Sequence, residues 1–187
     1  LVAEARRLGI KVRGYLSTVI ACPYDGPTRP KRVAALAERL LDLGCHEISL
    51  GDTIGVGTPG TVAPMLDAVL HEVPAGRLAV HFHDTYGQGL ANLLPALERG
   101  IRTIDCSVAG LGGCPYAPGA SGNVASEEVI YLLHGLGMST GVDLDKLAAT
   151  GQWVSERLGR PNGSRVGQAL HANAERLRMR LCQSSSH

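Results

Sequence analysis

The sequence predicts an α/β protein in which helices cover a parallel sheet. Apolar, β-branched runs recur about every 30 residues, and a stretch with helical periodicity follows each run. Every polar loop with candidate chemistry follows a strand, and none follows a helix. Because sites in parallel α/β folds lie at the carboxyl ends of the strands, we expect the function of this chain in these loops.

The individual elements follow from apolar spacing and from residues that start or stop helices. The predicted strands are apolar, β-branched runs at 11–20, 47–50, 78–82 and 103–109. The predicted helices repeat apolar side chains three and four positions apart, at 30–43, from Pro59 to before Pro74, at 89–98, from 126 onward and at 144–158. Thr58 before Pro59 indicates a helix start, and Gly44 and Gly100 indicate helix ends. The tail beyond Pro161 is polar and expected to fray, although 169–181 could be helical.

The number of strand–helix units limits the architecture. The chain has 187 residues, enough for one domain with a sizeable core. Four units are too few to close an eight-stranded barrel, which takes about 250 residues. The alternatives are a small doubly wound sheet or the second half of a barrel. Residues 1–9 lack an initiator Met and resemble the last turns of a helix, so we expect that an N-terminal part precedes them.

Composition excludes several classes of function. Eighteen basic residues against 17 acidic ones, with no basic stripe, give no reason to expect a nucleic-acid partner. No apolar run approaches the roughly 18–20 residues that would span a membrane, so no membrane association is expected. The five cysteines have no framework spacing, which favours a reducing compartment; bacterial cytoplasm is the expected location.

The pair His81-x-His83 is the feature around which the candidate site is built. Side chains alternate along a strand, so the two imidazoles point the same way, roughly 6–7 Å apart. Two imidazoles at the end of a buried strand form half of a metal site. The alternative is a pair of polar, hydrogen-bonded residues without chemical function.

Two oxygen-bearing residues could complete a metal site. Asp52 ends the second strand in a Gly-rich loop, either as a turn and capping residue or as a carboxylate that faces the histidines. Asn123 could cap a helix or donate its amide oxygen to the metal. A mixed nitrogen and oxygen set suits Mg²⁺ or Mn²⁺ better than a closed thiolate zinc site, while Zn²⁺ stays open.

Cys114 lies in a loop that is unusually rich in glycine. A cysteine there is expected to be exposed, and its thiol could titrate if an electropositive group lies nearby. The alternative is an ordinary loop cysteine. Cys22 lacks this glycine density, and we interpret it as structural.

Three motifs closely resemble the 3-hydroxy-3-methylglutaryl-CoA lyases: Ile48–Gly55, His81–Gln88 and Val108–Ala117. These enzymes belong to the DRE-TIM metallolyases, which are TIM barrels. The resemblance extends from about Val12 to Ala169. It implies a TIM (β/α)8 barrel family fold of which only the second half is present, strands five to eight plus C-terminal helices. Residues 1–187 would form a single partial catalytic domain, with 160–187 as its tail.

The resemblance also implies a reaction and its residues. The reaction is the retro-Claisen cleavage of 3-hydroxy-3-methylglutaryl-CoA to acetoacetate and acetyl-CoA, used in leucine degradation and ketone-body formation. His81, His83 and Asn123 would bind the divalent metal, Mg²⁺ or Mn²⁺. Cys114 would take part in proton transfer, Asp52 would orient substrate or assist proton removal, and His81 would double as a proton shuttle. The partner is a small-molecule CoA thioester, and a homodimer is possible.

One departure from the family pattern has consequences for activity. The family's first strand carries an Arg-Asp-Gly motif whose Asp binds the metal, and this sequence has no such strand. We therefore expect the polypeptide alone to bind metal poorly and to have little lyase activity. The alternatives are a Claisen-condensing acyltransferase of the isopropylmalate or homocitrate synthase type and a non-catalytic truncated domain; the cysteine-bearing loop separates this chain from those synthases. A eukaryotic source would place the protein in the mitochondrial matrix.

Overall fold

The computed structural model describes residues 1–113 and 122–184. The chain forms two compact units by its internal contacts. Among the described residues, the first consists of 1–105, 113 and 122–123, and the second of 106–112 and 124–184. Cys114 and the rest of the glycine-rich loop through Ser121 lie outside the described residues.

A four-stranded parallel sheet organises the first unit, and its strands lie side by side in the order in which they occur in the chain. Its strands are β1 (Arg13–Leu16), β4 (Glu47–Asp52), β5 (Leu78–Phe82) and β6 (Thr103–Asp105). The helices of this unit are α1 (Val2–Arg7), α2 (Pro30–Asp42), α3 (Pro59–Leu70) and α4 (Gly89–Glu98). A short antiparallel pair, β2 (Ala21–Cys22) and β3 (Gly26–Pro27), follows β1. The predicted alternation of parallel strands and helices is confirmed.

The two faces of the sheet differ in chemistry, because side chains alternate along each strand. Ile48, Leu50, Val80 and Phe82 are buried and share one face with their register partners, toward the packed helices. This apolar face is the core of the unit. The opposite face carries hydrogen-bonded polar side chains, which are described with the site below.

The second unit consists of helices and one tight turn. Its helices are α5 (Ser126–Gly135), α6 (Leu144–Arg157) and α7 (Arg165–Ser184). A 3-10 turn over Val108–Gly110 contains Ala109 at φ 54°, a left-handed conformation that is unfavourable for a residue with a side chain. The buried carboxylate of Glu127 accepts the Ala109 N–H with both oxygens at 3.0 Å, which holds this turn in place.

Two expected strand ends are wrong. The first strand ends at Leu16 instead of residue 20, because Thr18 takes φ 56° and its N–H donates to Thr53 Oγ1 at 2.8 Å. The fourth strand ends at Asp105 instead of residue 109, where the turn at Ala109 interrupts it. The expected fraying of the tail is wrong over Arg165–Ser184, where α7 lies, and the alternative of a helix at 169–181 is confirmed. None of the helices in the described part of the chain has the length and apolar character to cross a bilayer.

Candidate metal centre

The carboxyl end of β5 brings the three candidate ligands to one place. The rings of His81 and His83 are neighbours, with centroids 5.4 Å apart and planes inclined by 49°. Asn123 pairs with His83 through an isolated antiparallel bridge, and next to it the Asp84 N–H donates to the Gly122 carbonyl at 2.8 Å. These backbone contacts return the chain after the glycine-rich loop to the histidine pair.

His83 is buried in a way that suits a metal ligand. Its side chain is 7% exposed, and Nδ1 has no well-formed hydrogen bond to any described residue. Burial lowers the pKa of His83, as does the neighbouring charge of His81, while the Thr53 backbone and Asn123 oppose the shift. A metal-binding imidazole must be neutral, so the lowered pKa keeps His83 in the form that could bind a cation.

A polar layer on the same face as His81 connects all four strands of the sheet. It consists of Arg13, Glu47, Ser49, His81 and Asp105. Arg13 forms ion pairs with both Glu47 and Asp105, the latter at 2.7 Å from Nη1 to Oδ1. Ser49 donates to Asp105 Oδ2 at 2.7 Å, and that oxygen lies 3.4 Å from His81 Nδ1.

The carboxylate of Asp105 is ionised at any ordinary pH. Burial raises its pKa, but contacts with His81, Ser49 and Arg13 outweigh burial and lower the pKa to about 2. Asp105 and its partners Arg13 and Ser49 were not among the residues predicted for the site. Their spacing in sequence carried no recognisable motif, and only the strand register brings them together.

Asp52 does not join the histidines. The strand register pairs Asp52 with Phe82 and Gly51 with His81, which puts Asp52 on the apolar face of the sheet. It is fully buried, and its Oδ2 accepts the Gly57 N–H at 2.8 Å. Gly57 is also held through its carbonyl oxygen, which accepts from Asn92 Nδ2 at 2.9 Å. In the structure Asp52 therefore anchors the loop after β4.

This anchoring role predicts different effects for two substitutions of Asp52. Asp52→Ala leaves the buried Gly57 N–H without an acceptor, and we expect a loss of about 1–3 kcal/mol in the free energy of unfolding. Asp52→Asn keeps an oxygen in place and removes a carboxylate whose pKa burial raises, so the loss should be clearly smaller. Urea denaturation of both variants measures the difference. Equal losses would show that the loop needs the charge and not the acceptor.

The donor set itself is mixed and small. Among the described residues, no three side chains of His, Cys, Asp or Glu come together as a metal-binding group. The candidate centre therefore consists of two imidazoles and the amide of Asn123. The buried, unbonded nitrogen of His83 fits a cation, and two nitrogens with one oxygen fit a divalent ion that keeps open positions.

The fold and this arrangement define a parallel α/β protein with a candidate divalent-metal site at the carboxyl edge of its sheet. The chain belongs to the HMGL-like family, whose model matches residues 1–154. It is 60% identical over 171 residues to a mitochondrial hydroxymethylglutaryl-CoA lyase of Arabidopsis thaliana, covering 91% of this chain and 36% of that protein. It is 56% identical over 173 residues to a cytoplasmic 3-hydroxy-3-methylglutaryl-CoA lyase of Danio rerio, covering 92% of this chain and 52% of that protein.

Solved structures show the same likeness. A hydroxymethylglutaryl-CoA lyase from Pseudomonas aeruginosa superimposes with a TM-score of 0.90 at 56% identity, over 92% of this chain and 57% of that one. A lyase from Acinetobacter baumannii, in complex with coenzyme A and 3-methylmalate, has a TM-score of 0.83 at 36% identity, over 90% and 55% of the two chains. The chain spans about half the length of most curated relatives it matches, for example 52% of the Danio rerio lyase.

Proposed function

We propose that this chain forms the second half of a TIM barrel and contributes to a hydroxymethylglutaryl-CoA lyase, which cleaves 3-hydroxy-3-methylglutaryl-CoA to acetoacetate and acetyl-CoA. The observation that carries the proposal is the convergence of His81, His83 and Asn123 at the end of β5, in a chain of the HMGL-like family. Four parallel strands in sequential order, over about half the length of the relatives, support the half-barrel assignment.

His81, His83 and Asn123 would hold the divalent cation, Mg²⁺ or Mn²⁺. A cation held by these residues would supply Lewis-acid chemistry at the hydroxyl and carboxylate oxygens of the substrate. Loss of the hydroxyl proton lets the electron pair of the C–C bond pass to acetyl-CoA as its enolate. We assign Cys114 the delivery of a proton to that carbon.

The proposal separates the roles of the other two candidate residues. His81 can accept the hydroxyl proton only at a nitrogen that does not bind the cation in the same step, so its ligand role and its shuttle role need different nitrogens or different moments. Asp52 enters the proposal as the anchor of the loop after β4, because it lies on the opposite face of the sheet.

An assay with and without the complementary N-terminal half of the barrel tests this proposal. The 187-residue chain alone should bind Mn²⁺ weakly but saturably, since one carboxylate ligand is missing, and should form little acetoacetate. Adding the N-terminal half of the Pseudomonas aeruginosa lyase should raise acetoacetate formation from the CoA thioester. Absence of saturable Mn²⁺ binding together with no gain in activity would refute the proposal.

The proposal also includes the compartment and the oligomeric state of the protein. The relatives include mitochondrial and cytoplasmic lyases. We propose bacterial cytoplasm, or the mitochondrial matrix for a eukaryotic source, and a homodimer in solution. Light scattering measures the assembly, and a monomeric mass at micromolar concentration would contradict it.

A further inference from the structure

The polar layer contains two carboxylates, of which Asp105 faces the candidate ligand His81 and Glu47 does not. Arg13 lies between them and forms ion pairs with both Glu47 and Asp105. Asp105 is the register partner of His81, and its Oδ2 lies 3.4 Å from the imidazole Nδ1. Glu47 forms no hydrogen bond or ion pair with His81 and instead accepts from Thr103 Oγ1 at 3.0 Å.

Strong contacts fix the Asp105 carboxylate before it meets the imidazole. Arg13 donates to Oδ1 at 2.7 Å, and Ser49 donates to Oδ2 at 2.7 Å. The side chain is only 17% exposed. A carboxylate held at both oxygens has little freedom to turn away, so Oδ2 stays directed toward the nearer nitrogen of the ring.

We propose that Asp105 is a positioning residue that holds the proton of His81 on Nδ1 and leaves the Nε2 lone pair directed at the cation site. An ionised carboxylate only accepts hydrogen bonds, so a neutral imidazole beside it keeps its proton on the facing nitrogen. Metal-binding histidines commonly donate their second nitrogen to a carboxylate, which fixes both tautomer and ring orientation. This inference rests on the proposed metal centre and names the residue that orients its first ligand.

Asp105→Asn should reverse the direction of the hydrogen bond between residue 105 and His81, and not merely weaken it. Arg13 presents only donors, so the new amide must turn its oxygen toward Arg13 and its NH₂ group toward His81. The Ser49 hydroxyl can rotate to accept. His81 would then carry its proton on Nε2, where it blocks the nitrogen that the cation needs.

Glu47→Gln is the matched control. It removes one carboxylate charge from the same Arg13, in the same polar layer, without touching His81. Mn²⁺ titration followed by the electron paramagnetic resonance of free Mn²⁺ should show at least about a 10-fold weaker affinity for Asp105→Asn and less than about a 3-fold change for Glu47→Gln. Equal losses in the two variants would overturn the proposal, since they would reflect net charge alone.

The tautomer of His81 gives a second readout that needs neither metal nor a variant. Long-range ¹H–¹⁵N correlation spectra of the unsubstituted chain, recorded above about pH 8 where imidazoles are neutral, distinguish the two forms. We expect the Nδ1–H form at His81, and a dominant Nε2–H form would overturn the proposal even if Asp105→Asn fails to fold. If the unsubstituted chain binds no Mn²⁺ and the complementary half-barrel restores no activity, the proposed function fails, and the tautomer still decides the role of Asp105.

Discussion

Replacement of His83 by alanine is expected to abolish saturable Mn²⁺ binding, a loss of at least about 100-fold in affinity. His83 is the most buried of the candidate ligands, at 7% exposure, and its Nδ1 has no well-formed hydrogen bond to the described residues. A lowered pKa keeps the ring neutral, which is the form that can bind a cation. Its removal leaves His81 and Asn123, too few donors to hold a hydrated divalent ion.

The control for this experiment is an imidazole far from the candidate site. His71 caps the C-terminal end of α3 and is exposed, so His71→Ala removes a histidine without changing the β5 edge. Both variants are titrated with Mn²⁺ by electron paramagnetic resonance, with circular dichroism to verify folding. If His83→Ala binds Mn²⁺ as the unsubstituted chain does, or if His71→Ala loses it equally, the candidate metal centre is misplaced.

Gly55→Ala is expected to lower the free energy of unfolding by about 2–5 kcal/mol, the sum of backbone strain and overpacking. Gly55 has φ +67°, in the left-handed region. A Cβ at this position would lie 2.6 Å from Thr85 Oγ1 and 3.0 Å from the His83 carbonyl oxygen. The added methyl group would therefore push on the backbone that carries a candidate ligand, and Mn²⁺ binding should weaken along with stability.

Gly87→Ala separates the two contributions. Gly87 has a nearly identical φ of +69°, but a Cβ there would meet no atom within 4 Å. It should therefore cost only the conformational preference of glycine, about 1 kcal/mol. Chemical denaturation of the two variants gives the comparison. Equal losses would mean that the close approach of Gly55 to Thr85 and His83 contributes nothing to stability.

The sequence was sufficient to predict the sheet and the position of the histidine pair. Strand periodicity of two is a local property, so the common direction of His81 and His83 could be derived without tertiary information. The rhythm of apolar runs and helices predicted the parallel sheet for the same reason. The early end of β1 could not be predicted, because the left-handed Thr18 depends on a contact with Thr53, which is remote in the sequence.

The side of the sheet on which Asp52 lies could have been derived from the same strand periodicity of two. Asp52 shares its parity with Ile48 and Leu50, the apolar residues that mark the helix-facing side of β4. Asp52 was expected to face the histidines because it is a carboxylate in a Gly-rich loop, although the alternation along β4 places it on the other side of the sheet. Alternation along the strand was the signal that would have separated Asp52 from the histidines.

The polar layer shows what periodicity cannot supply. Asp105 and Arg13 are 92 residues apart, and their ion pair depends on the order and register of four strands. No local pattern distinguishes these residues from ordinary charged residues at strand ends. The role proposed for Asp105 could therefore be derived only after the strand register was known.

Diffraction data at the manganese absorption edge, from crystals of this chain grown with Mn²⁺, test the central claim most directly. We predict one anomalous peak at about 2–2.5 Å from a nitrogen of His81, a nitrogen of His83 and the side-chain oxygen of Asn123. A peak bound elsewhere while both imidazoles have no metal contact, or no peak at saturating Mn²⁺, would contradict it.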